Sequence, residues 1–224
     1  FARVEAIPEV DRVNNRVSLT LQANPARRAS VRKINVAGNT RTRDVVVRRE
    51  FRQLEASWYD GDKIRLSRDR VDRLGYFGEV AVETHEVPGS PDQVDLTLNV
   101  TEKPTGSVSL GAGFSSADGL GLSFGLKQEN AFGSGNSLGV QINTSKINRV
   151  LVLNTTDPYF TADGVSRTID IYHKSSSPYE NQDYYKLVTS GAAMRFGIPF
   201  TEIDTVFFGA GVEQTNIKLG TLLP

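Results

Sequence analysis

Two histidines, a glycine-rich stretch and a run of arginines are the features of this 224-residue chain with chemistry to offer. A metal site needs imidazole, thiolate or carboxylate groups at ligand spacing. His85 and His173 lie in different halves of the chain without such spacing, and there is no cysteine. His85 stands beside Glu83 and Glu86 in an alternating stretch, the setting of a solvated histidine on a strand surface. Gly119-Leu-Gly121-Leu-Ser-Phe-Gly125 has the glycine content of a phosphate-cradling loop, but the spacing is wrong and the stretch lies inside an apolar alternation. Its glycines suit tight curvature and a roomy interior instead. No serine has histidine and carboxylate partners at identifiable positions. The expectation is a protein without catalytic residues, metal or other cofactor. The absent cysteines exclude disulfides and select no compartment.

The arginine run, Arg41, Arg43, Arg48, Arg49 and Arg52, is interleaved with Asp44, Glu50 and Glu55, while Val45–Val47 and Phe51 claim an apolar face. Nucleic acid would be one partner for such a run. A mixed-charge, solvated helix face is the plainer reading. A protein-docking surface, on which arginine–carboxylate pairs give register and specificity, is the third.

The elements that must position these residues change character at Pro104. Residues 1–104 hold 18 Lys+Arg and 16 Asp+Glu but 5 glycines; residues 105–224 hold 8, 10 and 15. The whole-chain averages, net charge +0 and mean hydropathy −0.31, hide this division. Residues 1–24 carry two alternating strands, Ala2–Ile7 and Arg16–Leu21, about a turn at Asp11–Asn15. A strand Val31–Val36 and a turn at Gly38-Asn39-Thr40 follow. A helix Arg43–Leu54 capped by Thr42 comes next. Ile64, Leu66, Val71 and Leu74 mark a second helix, Asp62–Leu74, ended by Gly75 as a left-handed cap. Strands Val80–Val87 and Val94–Val100, about the turn Pro88–Asp92, close a β-α-α-β-β unit.

The second half alternates strictly. Val108, Leu110, Ala112 and Phe114 interleave with Ser107, Ser109, Gly111 and Gly113, and Leu120, Leu122, Phe124 and Leu126 repeat the pattern. One apolar face and one small or polar face suit a strand between lipid and a watery lumen. No run of 18 apolar residues exists, so a membrane-spanning helix is excluded. Seven strands are expected: Gly106–Ser115, Leu120–Glu129, Ser137–Thr144, Val150–Thr156, Val165–His173, Tyr184–Ile198 and Thr205–Gln214. An antiparallel bacterial barrel has an even number of strands, eight or more, so the rest is expected elsewhere in a longer protein. The opening Phe1-Ala-Arg-Val, in mid-pattern, agrees with that. Every second connection carries an aromatic: Phe132, the pair Tyr159 and Phe160, and Phe200. They fit an interfacial girdle on the side where the charged half feeds the first strand. The opposite connections, Ser116–Gly119, Ser145–Arg149 and Ser175–Asp183, are polar except for Tyr179.

Four motifs carry a resemblance. They are "RREFRQLE" at residues 48–55, "RLGYF" at 73–77, "VPGSPDQVDL" at 87–96 and "DPYFTADG" at 157–164. Together the chain resembles the last POTRA domain and the first barrel strands of the BamA family, outer-membrane protein assembly factors. The fold implied is an α+β POTRA domain (β-α-α-β-β) over residues 25–104, followed by the N-terminal strands of an antiparallel transmembrane β-barrel over 105–224. Residues 1–24 would be the C-terminal strands of a preceding POTRA. The resemblance implies an assembly factor of a Gram-negative outer membrane, with its POTRA domains in the periplasm. It implies a BamD-like lipoprotein and other assembly-complex lipoproteins as partners, unfolded outer-membrane proteins as clients, and the lipid bilayer, with no nucleic acid. Arg48 and Glu55, and secondarily Arg52, would carry the docking charges. The chain departs from the commoner family form at Ala56-Ser57, where a glycine often follows the glutamate, so the helix end is expected to sit differently. The edges Ala2–Ile7 and Val80–Val87 would be sites for an incoming client strand. The first strand, Gly106, Val108, Leu110, Ala112 and Phe114 with their intervening residues, would be a lateral gate whose glycines make the seam easy to open. A glycine-rich strand that merely fits a tapered barrel is the alternative. At the level of function, a two-partner secretion pore of the same superfamily is the rival, with a porin-like structural barrel behind it.

Overall fold

Alternation along the chain and the need to satisfy every backbone N–H and C=O dictate a structure made largely of strands. The computed structural model describes residues 3–11, 16–24, 28–116, 119–177, 179–180 and 183–219. It divides into two units: Phe1–Thr40 with Val47–Glu102, and Arg41–Val46 with Lys103–Pro224.

In the first unit, β1 (Arg3–Asp11) and β2 (Arg16–Asn24) pair antiparallel as a sheet of their own. Both outrun the expected strands, Ala2 lies outside the described residues, and so does most of the turn expected at Asp11–Asn15. Next along the chain come β3 (Ser30–Ala37), α1 (Asp44–Arg48, its first three residues in the second unit), α2 (Gly61–Arg73), β4 (Phe77–Val87) and β5 (Ser90–Glu102), the expected β-α-α-β-β order. The sheet runs β3-β5-β4, with β5 parallel to β3 and antiparallel to β4. Every second residue of β5, from Val94 through Leu96 and Leu98 to Val100, is buried. The β4–β5 turn is tighter than Pro88–Asp92. Val87 pairs with Ser90 about Gly89 at φ +79°, which draws Pro91 and Asp92 into β5.

The first helix is the main correction: α1 ends at Arg48 and does not reach Leu54. Three β-branched valines make a poor helix interior. Beyond them the amides leave the helical pattern. Glu50 N–H bonds Val47 C=O and Phe51 N–H bonds Arg48 C=O, three residues back rather than four. The Arg52 and Gln53 amides then donate to the buried Ser67 Oγ on α2, at 2.8 and 3.4 Å. Gln53, 1% exposed, ties the rest of the loop. Its Nε2 donates to Leu54 O, Ser57 Oγ and Trp58 O, and its Oε1 accepts from Asp60 N–H. Asp60 in turn caps α2, accepting from Asp62 and Lys63 N–H, and Gly75 follows that helix at φ +73°, as expected. The start also shifts: α1 begins at Asp44, one residue after the start expected from a Thr42 cap, and the Thr42 hydroxyl accepts from Asn130 Nδ2.

In the second unit all seven expected strands form one antiparallel sheet. They are β6 (Gly106–Ser115), β7 (Gly119–Ala131), β8 (Asn136–Thr144), β9 (Asn148–Asp157), β10 (Ser166–Ser176), β12 (Asp183–Pro199) and β13 (Thr205–Leu219). A short β11 (Tyr179–Glu180) pairs with the start of β12. Residues 117–118, 178 and 181–182 in the polar connections lie outside the described residues. The register makes the two faces explicit. Val108, Leu126, Val140, Leu153, Ile171, Ala192 and Val212 form one wholly apolar row across the seven strands. The adjoining row on the other face is Ser109, Gly125, Gln141, Val152, Tyr172, Gly191 and Glu213. There Tyr172 lies flat across Gly191, where a Cβ would come 2.4 Å from its ring, and its hydroxyl donates to Glu213 Oε2 at 2.5 Å. At the β7–β8 turn, Asn130 and Phe132 both take φ +53°. Asn130 Oδ1 accepts from Gly135 N–H, and Arg43 N–H donates to Gly133 O at 3.0 Å. A Cβ on Gly133 would lie 1.9 Å from Arg41 O, so only glycine admits the Arg41–Val46 segment there.

Glu50, 4% exposed, pairs with Arg70 Nη2 at 2.8 Å. Glu50→Ala leaves the arginine charge without that partner and is expected to lower unfolding stability by about 3 kcal/mol in urea denaturation. On the surface, the Arg32 hydrogen bond, then its charge, holds the Asp95 carboxyl below the usual carboxylate range. The contribution of Asp95 to stability is therefore present above roughly pH 3.9 and fades as pH falls through the depressed value. Arg32→Ala should move the Asp95 titration, followed by NMR, upward towards the ordinary carboxylate value.

Candidate functional site

The arginine-rich segment does two jobs with alternate residues. Glu50, Phe51 and Gln53 point into the first unit and build it. Arg48 and Glu55, both half-exposed, meet over strand β3. Glu55 Oε1 accepts the Ile34 amide N–H at 2.8 Å and lies 3.4 Å from Arg48 Nη1, which also donates to the Ile34 carbonyl at 3.1 Å. A carboxylate and a guanidinium thus close both backbone groups of one edge residue. The neighbouring loop closes the start of that edge. Val31 N–H donates to Ser57 O, Ala56 N–H to Val31 O and Tyr59 N–H to Ala29 O. Arg52 is held separately, its Nη1 donating to Arg49 O at 3.5 Å. Of the three expected docking charges, the structure brings together Arg48 and Glu55. Ala56 shows what the family's glycine would do here: it sits at φ +58°, a conformation that lets its N–H reach Val31.

With β3 closed over Ala29, Val31 and Ile34, β4 forms the other outer side of this sheet, and Arg68 Nε donates to its Val80 carbonyl at 3.3 Å. It pairs with β5 alone among the described residues. His85, on β4, lies 3.5 Å from the Glu83 carboxylate and is exposed. Among the described residues, no cluster of three or more His, Cys, Asp or Glu could hold a metal ion.

Strand β6 is the second edge. Glu129 N–H donates to Thr105 O at 2.9 Å, and the β6–β7 register runs without a bulge from Gly106 to Ser115. In an antiparallel ladder only alternate residues bond a given neighbour. The odd residues of β6 therefore bond β7. Gly106, Val108, Leu110, Ala112 and Phe114 present N–H and C=O to the other side, where no described strand lies. Their side chains stand on the apolar face: Val108, Leu110 and Phe114 are 63, 80 and 81% exposed. A strand that arrived there would meet five consecutive free sites and an apolar row in one register.

The expected aromatic girdle divides. Phe132 and Phe200 project from turns, largely exposed. Tyr159 packs against Gly164. Phe160 stacks towards Phe196 at 5.9 Å, Phe196 towards Phe208 at 5.6 Å, and Arg167 lies over Phe160. Neither Phe196 nor Arg167 was singled out from the sequence. An arginine at an apolar-face position of an alternating strand was the available signal.

A family model of the surface antigen variable number repeat, the POTRA repeat, matches residues 29–103, and a model of the Omp85 superfamily domain matches residues 130–221. Fold and matches together define the class: a POTRA domain joined to antiparallel strands of an Omp85-type barrel. Over 97% of its length the chain is 40% identical to the outer membrane protein assembly factor BamA of Neisseria meningitidis serogroup B, and it covers 28% of that protein. The crystal structure of BamA from Haemophilus ducreyi lacking POTRA domains 1–3 matches 97% of the chain at 31% identity with a TM-score of 0.83, and 41% of that chain is covered. The chain is of the BamA type. CdiB from Acinetobacter baumannii matches 97% of it at a TM-score of 0.59 and 12% identity, with 42% of that chain covered, a likeness of fold alone.

The Glu55–Ile34 bond predicts a hydrogen-exchange signature. Glu55→Ala should accelerate exchange of the Ile34 amide, whereas Glu55→Gln keeps an acceptor in place and should leave it near wild type. Equal exchange in both variants would remove Glu55 from the edge. Ala56→Gly should raise stability by up to about 1 kcal/mol, because glycine takes the observed φ without a Cβ penalty.

Proposed function

We propose that this chain is part of an outer-membrane protein assembly factor that folds β-barrel clients and inserts them into the outer membrane of a Gram-negative bacterium. The observation that carries the reading is the edge of β6, with its even residues turned out and its apolar row continuous with the sheet. In the longer protein a closing strand would pair there. Opening that seam would leave five residues ready to template the strand of a client, by backbone bonds that do not depend on the client's sequence. Gly106, Gly111 and Gly113 reduce the side-chain packing that holds the seam, which makes β6 a lateral gate. The client then buries its own lipid-facing residues as each strand pairs, so hydrogen bonding and hydrophobic burial drive insertion, with no cofactor or nucleotide. The names of the BamA relatives describe assembly, and the chain's activity is read as non-enzymatic accordingly.

The POTRA region, residues 25–104, is assigned to the periplasm, with residues 1–24 as the end of a preceding POTRA. Arg48 and Glu55, with Arg52 beside them, form the docking surface for a BamD-like lipoprotein, and the outer side of β4, past the Arg68 bond to Val80, is the site for a passing client strand. The aromatics Phe132, Tyr159, Phe160 and Phe200 settle at headgroup depth. A two-partner secretion pore is the second reading, favoured only by the fold it shares with CdiB.

The test uses the intact parent protein in liposomes, an unfolded barrel client, and heat-modifiable gel mobility as the readout. Val108→Pro with Leu110→Pro removes two outward amides and no bond to β7, so client folding should slow about 30-fold, at roughly 1 kcal/mol per bond. Ser109→Pro, which breaks the β7 ladder, is the control for damage to the strand itself. Unchanged insertion by the double variant would sink the gate. Separately, Glu55→Lys should abolish the gain from added lipoprotein partners, whereas Glu55→Gln should keep part of it. Passage of a soluble client into the lumen, without folding of barrels, would select the secretion pore.

A further inference from the structure

The apolar face of the seven-stranded sheet ends, at the side where the chain enters β6, in an aromatic cluster that carries a cation. Arg167 stands opposite Phe196 and Phe196 opposite Phe208, so all three share one row of the apolar face. The row lies two residues beyond Ile169 and Met194. The Arg167 Cζ is 4.2 Å from the centre of the Phe160 ring. The side chain is half-buried, and among the described residues no carboxylate or carbonyl takes its guanidinium donors. Asp157 lies opposite it on β9, but its Oδ1 accepts the Tyr159 amide at 3.1 Å. Arg149 offers a contrast at the other end of the same face. It is exposed, opposite Thr144 and Ser175, with no ring beneath it among the described residues.

A guanidinium on the lipid side of a barrel is costly unless an anion answers it. Stacking on Phe160 removes water from one face of the fork and fixes its plane, while the N–H edge stays open. The anion available at the border of an apolar band is the phosphate of a phospholipid, which matches the fork bidentately. We propose that Arg167, stacked on Phe160, binds the phosphate of a bilayer glycerophospholipid at this rim. The aromatic row formed by Phe196 and Phe208 would lie along the upper acyl chain. The site rests on the lipid-facing assignment of the Val108 row and is independent of client folding, so it can stand or fall apart from the assembly reading.

The intact parent protein, delipidated in detergent, would be titrated with phosphatidylglycerol and the bound lipid counted by native mass spectrometry. Arg167→Gln should weaken the tightest lipid about tenfold, the loss expected for a charge-assisted pair. Arg167→Lys should restore part of it as a point charge, and Phe160→Leu should weaken it with the arginine in place. Arg149→Gln should bind as wild type, and heat-modifiable mobility would show each variant folded. Wild-type binding by Arg167→Gln overturns the site, and so does an equal loss in Arg149→Gln. Displacement of the lipid by millimolar inorganic phosphate would overturn the lipid assignment in favour of a general anion site.

Discussion

Unpaired backbone at strand edges is the constraint on which the rest of this structure depends. A strand carries donors and acceptors on both sides, and water or another chain must meet whatever the sheet does not. The chain treats its edges in opposite ways. The outer side of β3 is closed over Ala29, Val31 and Ile34 by the loop Glu55–Tyr59 and by Arg48. The outer side of β6 meets no described strand at its even residues. The outer side of β13, which pairs with β12 alone among the described residues, is open in the same way, so the two margins of the large sheet differ together from the covered side of β3.

The closed edge also explains why a charged motif looks so uniform in sequence and so divided in space. Within eight residues, Glu50 and Gln53 are buried while Arg48 and Glu55 stay half-exposed. Gln53 works as a hub because a side-chain amide both donates and accepts, and it replaces the helical bonds that the loop forgoes. A docking role for Arg48 and Glu55 must therefore coexist with their grip on Ile34. Any partner that engaged the Glu55 carboxylate would compete with, or add to, its existing bond to the Ile34 amide.

Period-two patterning made the second unit legible, strand by strand, because a one-residue slip would turn every apolar side chain to the wrong face. The first strand was placed to the residue, and the order of the POTRA elements followed from caps and turn residues. What sequence could not show was tertiary. The end of α1 depends on Ser67, distant in sequence and buried on α2, taking the amides of Arg52 and Gln53. Propensity along Val45–Leu54 contains no trace of that. The departure at Ala56 was visible, but its meaning was not: the backbone keeps a glycine's conformation and accepts the strain. Arg167 shares the alternation of Ile169 and Ile171, but only the register shows that it stands opposite Phe196.

The same register argues about mechanism. The apolar row from Val108 to Val212 crosses all seven strands, so β6 is not a polar edge trimmed for solubility but the margin of a lipid-facing surface. Open hydrogen-bonding groups on such a surface are tolerable in water-filled or thinned bilayer and strongly unfavourable in intact hydrocarbon. A glycine-rich margin lowers the side-chain contribution to pairing without touching the backbone contribution. Pairing of β6 with any incoming strand is then dominated by main-chain bonds, which every β-strand can make. Such sequence-independent pairing is what the gate proposed for β6 would require.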